Sequence, residues 1–388
     1  MPSRPVVAEV ETFPLEAELP GGGYGASRNA VGARVGTLVK ITTSDGTTGW
    51  GESFGPPRLT APFLAEQARE LTGLPADVRE ELVLRRLCTG YHFTCGGLHV
   101  AASSGLDVAL WDAQARRFGV PVGELLGGRL RDRVDAYASG GYVTPSRDLG
   151  EFRERIAEHV AEGFTAAKIK IGLSPAEDRA RTAATRELLG DDGLLLVDYN
   201  ANNTTATLRR SFDRIRDLDP HWVEEPLPPE DAVGWRALDL GVPVSGGEAL
   251  YTRYGFRDPI AEQRFDVVQP DLAKCGGFTE AQVIRQLATT WSLQLSPHCW
   301  GSGVAQAATL QLLSAVPTAP FGEHGGAPLL FEFDRGPNPL REGVLATPIR
   351  AEGGVVAIPD GPGLGVTVDE DWLRAHRLDE VAVLARAS

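Results

Sequence analysis

Cysteine is scarce in this chain. Four residues in 388, at positions 88, 95, 275 and 299, form no CxxC pair and cannot make a disulfide scaffold. Reduced thiols in a cytoplasmic protein are the expectation. No apolar run approaches the ~18 residues a membrane span needs. The opening stretch MPSRPVVAEVETFPLEAELP lacks the apolar core of a secretory leader, so neither a span nor a signal peptide is expected. Positive charge is also short: 38 basic against 52 acidic residues give a formal charge of -14. That argues against nucleic-acid and anionic-membrane partners, which want a basic surface. A single basic pocket for a small acid is compatible with it. No glycine-rich GxGxxG opens a helix after an early strand, which weakens a doubly wound dinucleotide-binding sheet. What is present, 42% apolar and 23% charged residues, is ordinary for a folded globular protein. The length allows two or three domains, or one large barrel with an added lobe.

The chain changes texture near residue 133. Before it, Val- and Thr-rich runs at 6–13 and 34–42, a Ser-Asp-Gly turn at 44–46 and a further strand at 49–52 predict a short antiparallel sheet. Helical patterns follow at 61–71, 77–88 and 103–118, so residues 1–133 read as an α+β capping domain. After it, apolar runs alternate with helical ones. The runs end at Lys170, Asp198, Glu224, Glu248, Asp271 and His298, with gaps of 28, 26, 24, 23 and 27 residues. Each gap suits one βα unit. A first strand near 134–138 and a last ending near Glu323 bring the total to eight, a (β/α)8 barrel or close variant over 134–345. Residues 346–388 carry a short strand at 353–357 and a Gly- and Pro-rich turn, and are expected to return to the capping domain.

Ionisable groups close strand after strand at one end, the functional face of a barrel. Asp198, Glu224 and Glu248 end consecutive strands whose tips lie ~5 Å apart. Three converging carboxylates repel unless protonated or bridged by a cation, and a hard divalent ion, Mg2+ by default, resolves this. Solvated or Arg-paired acids are the plainer alternative. Asn200 shares the side of Asp198, whereas Glu225 should face away from Glu224. Lys168 and Lys170 share one strand face. Crowding and burial would lower their pKa, making Lys170 the base candidate and Lys168 the group that neutralises a carboxylate; two surface lysines are the alternative. His298 beside Asp271 reads as an acid/base dyad facing Lys170, the Asp fixing the imidazole tautomer. Glu323 is a candidate to assist a developing oxyanion or to steady His298. Together these parts fit proton abstraction next to a carboxylate, with an enediolate stabilised by the metal. Reprotonation would give racemisation, and loss of a β-group would give elimination. In a lactone the departing group can be the ring oxygen. A catalytically silent barrel kept for binding or assembly would be expected to lack connected acid/base residues.

KIK at 168–170, DYN at 198–200, EEP at 224–226, GGE at 246–248, QPD at 269–271 and PH at 297–298 occur in this order. With them the chain resembles the enolase superfamily, within its mandelate racemase subgroup, over nearly its whole length. The resemblance implies a modified TIM barrel, (β/α)7β, with an N-terminal α+β capping domain. It implies Mg2+ on Asp198, Glu224 and Glu248, Lys170 as one acid/base, the His298–Asp271 dyad as the other, and Glu323 as the last-strand acid. Further stretches, PHCWGSGV at 297–304, EFDRGPNPLREGVL at 332–345 and IPDGPGLGV at 358–366, are similar to those of galactarolactone cycloisomerases. Parts are shared with acid-sugar dehydratases. A small carboxylate substrate (an aldarate, aldonate or lactone) and a homo-oligomer, dimer or octamer, are implied. In the family the glycine-rich loop at 20–32 covers the pocket, which makes Tyr24 and Arg28 substrate-binding candidates; Trp300 and His92 are wall candidates. The sequence departs from the cycloisomerase pattern after Asp198 and in the loop at 21–25, so substrate identity stays open.

Overall fold

A computed structural model describes residues 4–77, 79, 95–318 and 328–387 of the chain. Among them, eight parallel strands form the expected barrel: Arg133–Gly141, Ala166–Lys170, Leu194–Asp198, Trp222–Glu224, Val244–Gly246, Val267–Val268, Gln294–Leu295 and Leu330–Asp334. Each of the first six pairs with the next, and the eighth pairs with the first. Across the remaining seam, Ser296 Oγ donates to Leu330 O at 2.9 Å. Seven helices, beginning with Leu149–Ala161 and ending with Gly303–Ser314, fill the connections. The strands read as near-continuous buried runs because helices cover the outside and side chains fill the inside. The interior floor is Tyr137, Ala166, Leu196, Trp222, Val267 and Leu330. Tyr137 and Trp222 meet edge to face at 5.6 Å.

Local signals set the helix ends. Ser174 Oγ accepts from Glu177 N, Pro175 takes the first turn, and Gly190 ends the helix Pro175–Leu189 at φ 73°. The sequence expectations for the helices at 61–71 and 103–118 correspond to Pro57–Leu71 and Leu98–Phe118. The helix expected over 77–88 lies largely outside the described residues.

The lobe is a four-stranded antiparallel sheet in the order Leu384–Arg386, Val7–Glu18, Ala33–Thr43, Thr48–Ser53. Helix Leu98–Phe118 lies directly on it. Gly49 and Gly51 allow this: a Cβ at Gly51 would sit 2.0 Å from Gly105 O, and one at Gly49 2.1 Å from Ala109 O. Buried carboxylates on this helix fasten the lobe. Asp107 accepts from Thr279 N and Oγ1 at the start of barrel helix Gly277–Thr290. Asp112 accepts from Trp50 N and Leu364 N. One apolar core runs through both parts, from Phe13, Leu38 and Trp50 to Phe278, Leu310 and Phe331.

The tail serves both sheets. Strand Val355–Ala357, expected to extend the lobe, instead pairs antiparallel with the first barrel strand. Only later does the chain return to the lobe, where Leu384–Arg386 pairs with Val7–Glu18.

Candidate active site

The second, third and fourth barrel strands end together. Register sets Lys170 opposite Asp198 and Asp198 opposite Glu224. Glu248 follows two residues beyond Val244–Gly246. Carboxylate oxygens of Asp198, Glu224 and Glu248 lie within 4.8 Å of one another. Beneath them Lys168 Nζ, fully buried, contacts Glu224 Oε1 at 2.5 Å and Glu332 Oε1 at 2.7 Å, with Asp198 Oδ2 at 3.9 Å. Gln269 Nε2 donates to Glu224 Oε2 at 2.7 Å, and Asn200 N to Asp198 Oδ1 at 2.7 Å.

Burial first, then the Asp198 and Glu332 charges, push Glu224 up to about 8 even with Lys168 attached. Burial also opposes ionisation of Asp198, but Lys170 and Lys168 prevail and hold it below the usual carboxylate range. Glu225 is driven well up by burial and by Glu248. The cluster is therefore short of positive charge. Its facing donors are carboxylate oxygens, the set a hard divalent cation such as Mg2+ prefers, so the residues fit that ion.

Lys170 departs from expectation. Burial, the largest influence, and Lys168 favour its neutral form, but Asp198 Oδ2 at 2.5 Å together with Glu248 and Glu224 outweighs them, and its pKa is raised. The ion pair was invisible in the strand pattern, which showed the two lysines but not the partner's reach.

The opposite side is built on loops. Asp271 and His298 each stand three residues beyond the short strands Val267–Val268 and Gln294–Leu295. Asp271 Oδ1 accepts from Ala273 N at 2.8 Å, leaving Oδ2 for His298 Nδ1, also at 2.8 Å. His298 Nε2 points toward Glu248 Oε2, 3.5 Å away. Burial disfavours the imidazolium, but Glu248, Glu332 and Asp271 together raise its pKa to about 10.

A cavity of about 180 Å³ joins the two sides, and Lys170, Glu248, His298 and Glu332 all line it. Asn200 and Trp300 line it too. Asn200 has positive φ and a buried Oδ1 with no partner. Trp300 Nε1 donates to Tyr142 OH at 2.7 Å, and the Arg34 guanidinium lies 3.6 Å from its ring centre. Tyr24 stands behind this wall: it is buried against Tyr142, and its hydroxyl donates to Pro337 O at 2.8 Å. Arg28 is exposed and outside the cavity lining; Ala26 and Asn29 represent its loop there. Glu323 and His92 lie outside the described residues.

The sequence reading ended the last strand near 323, whereas the described strand that closes the barrel is Leu330–Asp334. The chain needs residues 315–329 to reach it from helix Gly303–Ser314, longer than the even spacing assumed. Its inward acid, Glu332, binds Lys168 and accepts from Cys299 N at 3.0 Å. Reasoning from sequence passed over Glu332 as an acid, along with Tyr142 and Phe54. A signal for Glu332 existed: LFEFD alternates apolar and acidic residues with period 2, as AAKIK alternates apolar and basic ones.

Residues 151–372 match the family model Enolase C-terminal domain-like, and residues 22–127 match the mandelate racemase / muconate lactonizing enzyme N-terminal domain. The chain is 39% identical over 350 residues to a D-galactarolactone cycloisomerase from Agrobacterium fabrum, covering 89% of this chain and 92% of that protein. It is 31% identical over 352 residues to an arabinonate dehydratase from Saccharolobus solfataricus, covering 87% and 90%. The crystal structure of a 3,6-anhydro-D-galactonate cycloisomerase from Zobellia galactanivorans superposes with TM-score 0.85 at 31% identity, covering 97% of this chain and all of that one.

Proposed function

Since the chain belongs to the enolase superfamily, in its mandelate racemase subgroup, we propose that it is a Mg2+-dependent cycloisomerase of an aldarolactone such as galactarolactone. One observation carries the reading: two acid/base groups, Lys170 and His298, open from opposite sides onto one small cavity that also exposes Glu248 of the carboxylate trio. The bound ion would supply a counter-charge to the substrate carboxylate while the neighbouring carbon loses its proton.

The chain's own residues supply the rest. Asp198, Glu224 and Glu248 would hold the ion. With the charges of Asp198, Glu224 and Glu248 shared by the ion, burial and Lys168 would be left acting on Lys170, and both favour its neutral, basic form. Lys170 takes the α-proton. The β C–O bond to the ring oxygen then breaks as the new C=C forms, and the ring opens with no atom gained or lost. Asp271 holds the His298 Nδ1–H, so Nε2 faces the cavity and carries the proton that the open-chain enol needs to become a ketone. Lys168 and Glu332 form the charged floor, and Asn200 and Trp300 bound the substrate space.

Similarity to an arabinonate dehydratase supports a second reading, loss of a β-hydroxyl as water. Mass spectrometry on a panel of acid sugars and lactones separates the two. A product isomeric with its lactone supports the first reading. A product lighter by one water from an open-chain acid, with lactones untouched, replaces it with the second. The family resemblance also supports a homo-oligomer, dimer or octamer, which light scattering would test; a monomeric mass would refute it.

A further inference from the structure

Glu52, on the last lobe strand Thr48–Ser53, is buried (3% exposed) and has no cationic hydrogen-bond partner among the described residues. All of them cross from the lobe to the barrel. Its carboxylate accepts from Ser302 N at 3.1 Å, from Ser302 Oγ at 2.5 Å and from Ala305 N at 3.2 Å. Those donors form the first turn of helix Gly303–Ser314, whose N-cap is Ser302, four residues after His298. The pocket for this carboxylate is shaped to it: a Cβ at Gly301 would lie 2.6 Å from Glu52 Oε1. Two residues along, Phe54 N donates to Ala273 O at 2.9 Å, and Ala273 N in turn donates to Asp271 Oδ1 at 2.8 Å. One lobe segment, 52–54, thus grips the loops of both dyad members, and both loops begin where the barrel ladder has already ended.

We propose that Glu52 is a positioning residue: from the lobe it fixes the turn that carries His298 and Trp300, and so sets the imidazole against the cavity. It touches no reacting atom. A carboxylate at a helix start is favourable in itself, since free N–H groups and the helix dipole converge there. A capping role for the barrel helix alone would, however, be met by Ser302, whose Oγ already accepts from Val304 N. The added lobe carboxylate ties the turn to a second body.

This proposal rests on the assignment of His298 as an acid/base group, so its test has one arm that needs no activity. Glu52→Gln keeps shape and one acceptor oxygen. Amide hydrogen exchange across 298–305 should quicken about tenfold or more, while exchange in strand Ala166–Lys170 holds. On a substrate found with the panel of acid sugars and lactones, kcat should fall about 10- to 100-fold at constant KM, the scale expected when a reacting group is displaced by about an ångström. Solvent exchange of the α-proton by Lys170 should survive. Asp112→Asn, which loosens lobe contacts to Trp50 and Leu364 instead, should change neither quantity. Unchanged exchange at 298–305 in Glu52→Gln would overturn the proposal, as would equal effects of the two variants. Should Glu52→Gln not fold, Glu52→Asp, which keeps the charge but shortens its reach to Ser302 and Ala305 and leaves the Ser302 cap in place, is read in the same way. If no substrate is found, the functional reading fails, while the amide arm still decides the contact.

Discussion

The two sides of the mouth are built differently. On one, Lys168, Lys170, Asp198 and Glu224 belong to strands, and the sheet register itself sets them side by side. On the other, Glu248, Asp271 and His298 stand two or three residues beyond strands of only two or three residues, and other contacts hold them. A ladder fixes direction residue by residue, because side chains alternate. A loop fixes direction only through the hydrogen bonds it makes, and here some of these come from the lobe. The rigid side carries most of the charge, and the supported side carries the dyad.

The comparison can be broken at its centre first. Glu248→Gln removes the carboxylate that joins the two sides. Calorimetry should show Mg2+ affinity reduced at least about tenfold, and turnover should drop about a thousandfold or more. Chelation should silence the parent protein, with added Mg2+ restoring it. Next, the sides can be separated. His298→Asn should retain α-proton exchange in deuterated water while losing net turnover by about 100-fold or more, and Lys170→Met should lose both. The reverse pattern would exchange the two roles.

The rigid side should show its charge in stability. Lys168→Met leaves Glu224 and Glu332 buried without their cation, at a cost of about 3–5 kcal/mol in chemical denaturation. The supported side should show itself in pH. His298 titrates at about 10 in the folded, cation-free protein against an ordinary 6.5, so its stabilisation is full below about 6.5 and is lost as pH rises through 10. The stability gap between parent and His298→Asn should shrink over that window. The smallest effect is expected at the wall: Trp300→Phe removes the donor to Tyr142 OH and should raise KM only about two- to fivefold.

The same contrast explains what could be read in the sequence. KIK, DYN and EEP were legible because a charged residue inside a buried apolar run has few places to go. The later strands were legible only as spacings; their polar tips outlast the ladder, so the reading placed strand ends where loops begin. Glu332 escaped because the longer 315–329 connection displaced the eighth strand from its expected beat. The raised pKa of Lys170 escaped because it depends on how closely Asp198, Glu248 and Glu224 approach its ammonium, which spacing along the chain does not give. In the glycine-rich loop, the family resemblance pointed to the large side chains Tyr24 and Arg28, but packing buried one behind the wall and left the other in solvent, with smaller neighbours facing the cavity.

The first barrel strand has an order-of-events consequence. Arg133–Gly141 takes partners at 166–170, 330–334 and 355–357, and the lobe sheet gains its edge only at 384–386. A nascent chain emerging from the ribosome therefore cannot complete the barrel sheet before residues 330–334 and 355–357 have been made, or the lobe sheet before residues 384–386. Until residues 330–334 arrive, the half-built barrel would expose an unpaired edge of its first, apolar strand. Replacing Leu384 and Ala385 by proline, which breaks the pairing with Val7–Glu18, should accordingly harm yield of folded protein more than their small contact area suggests.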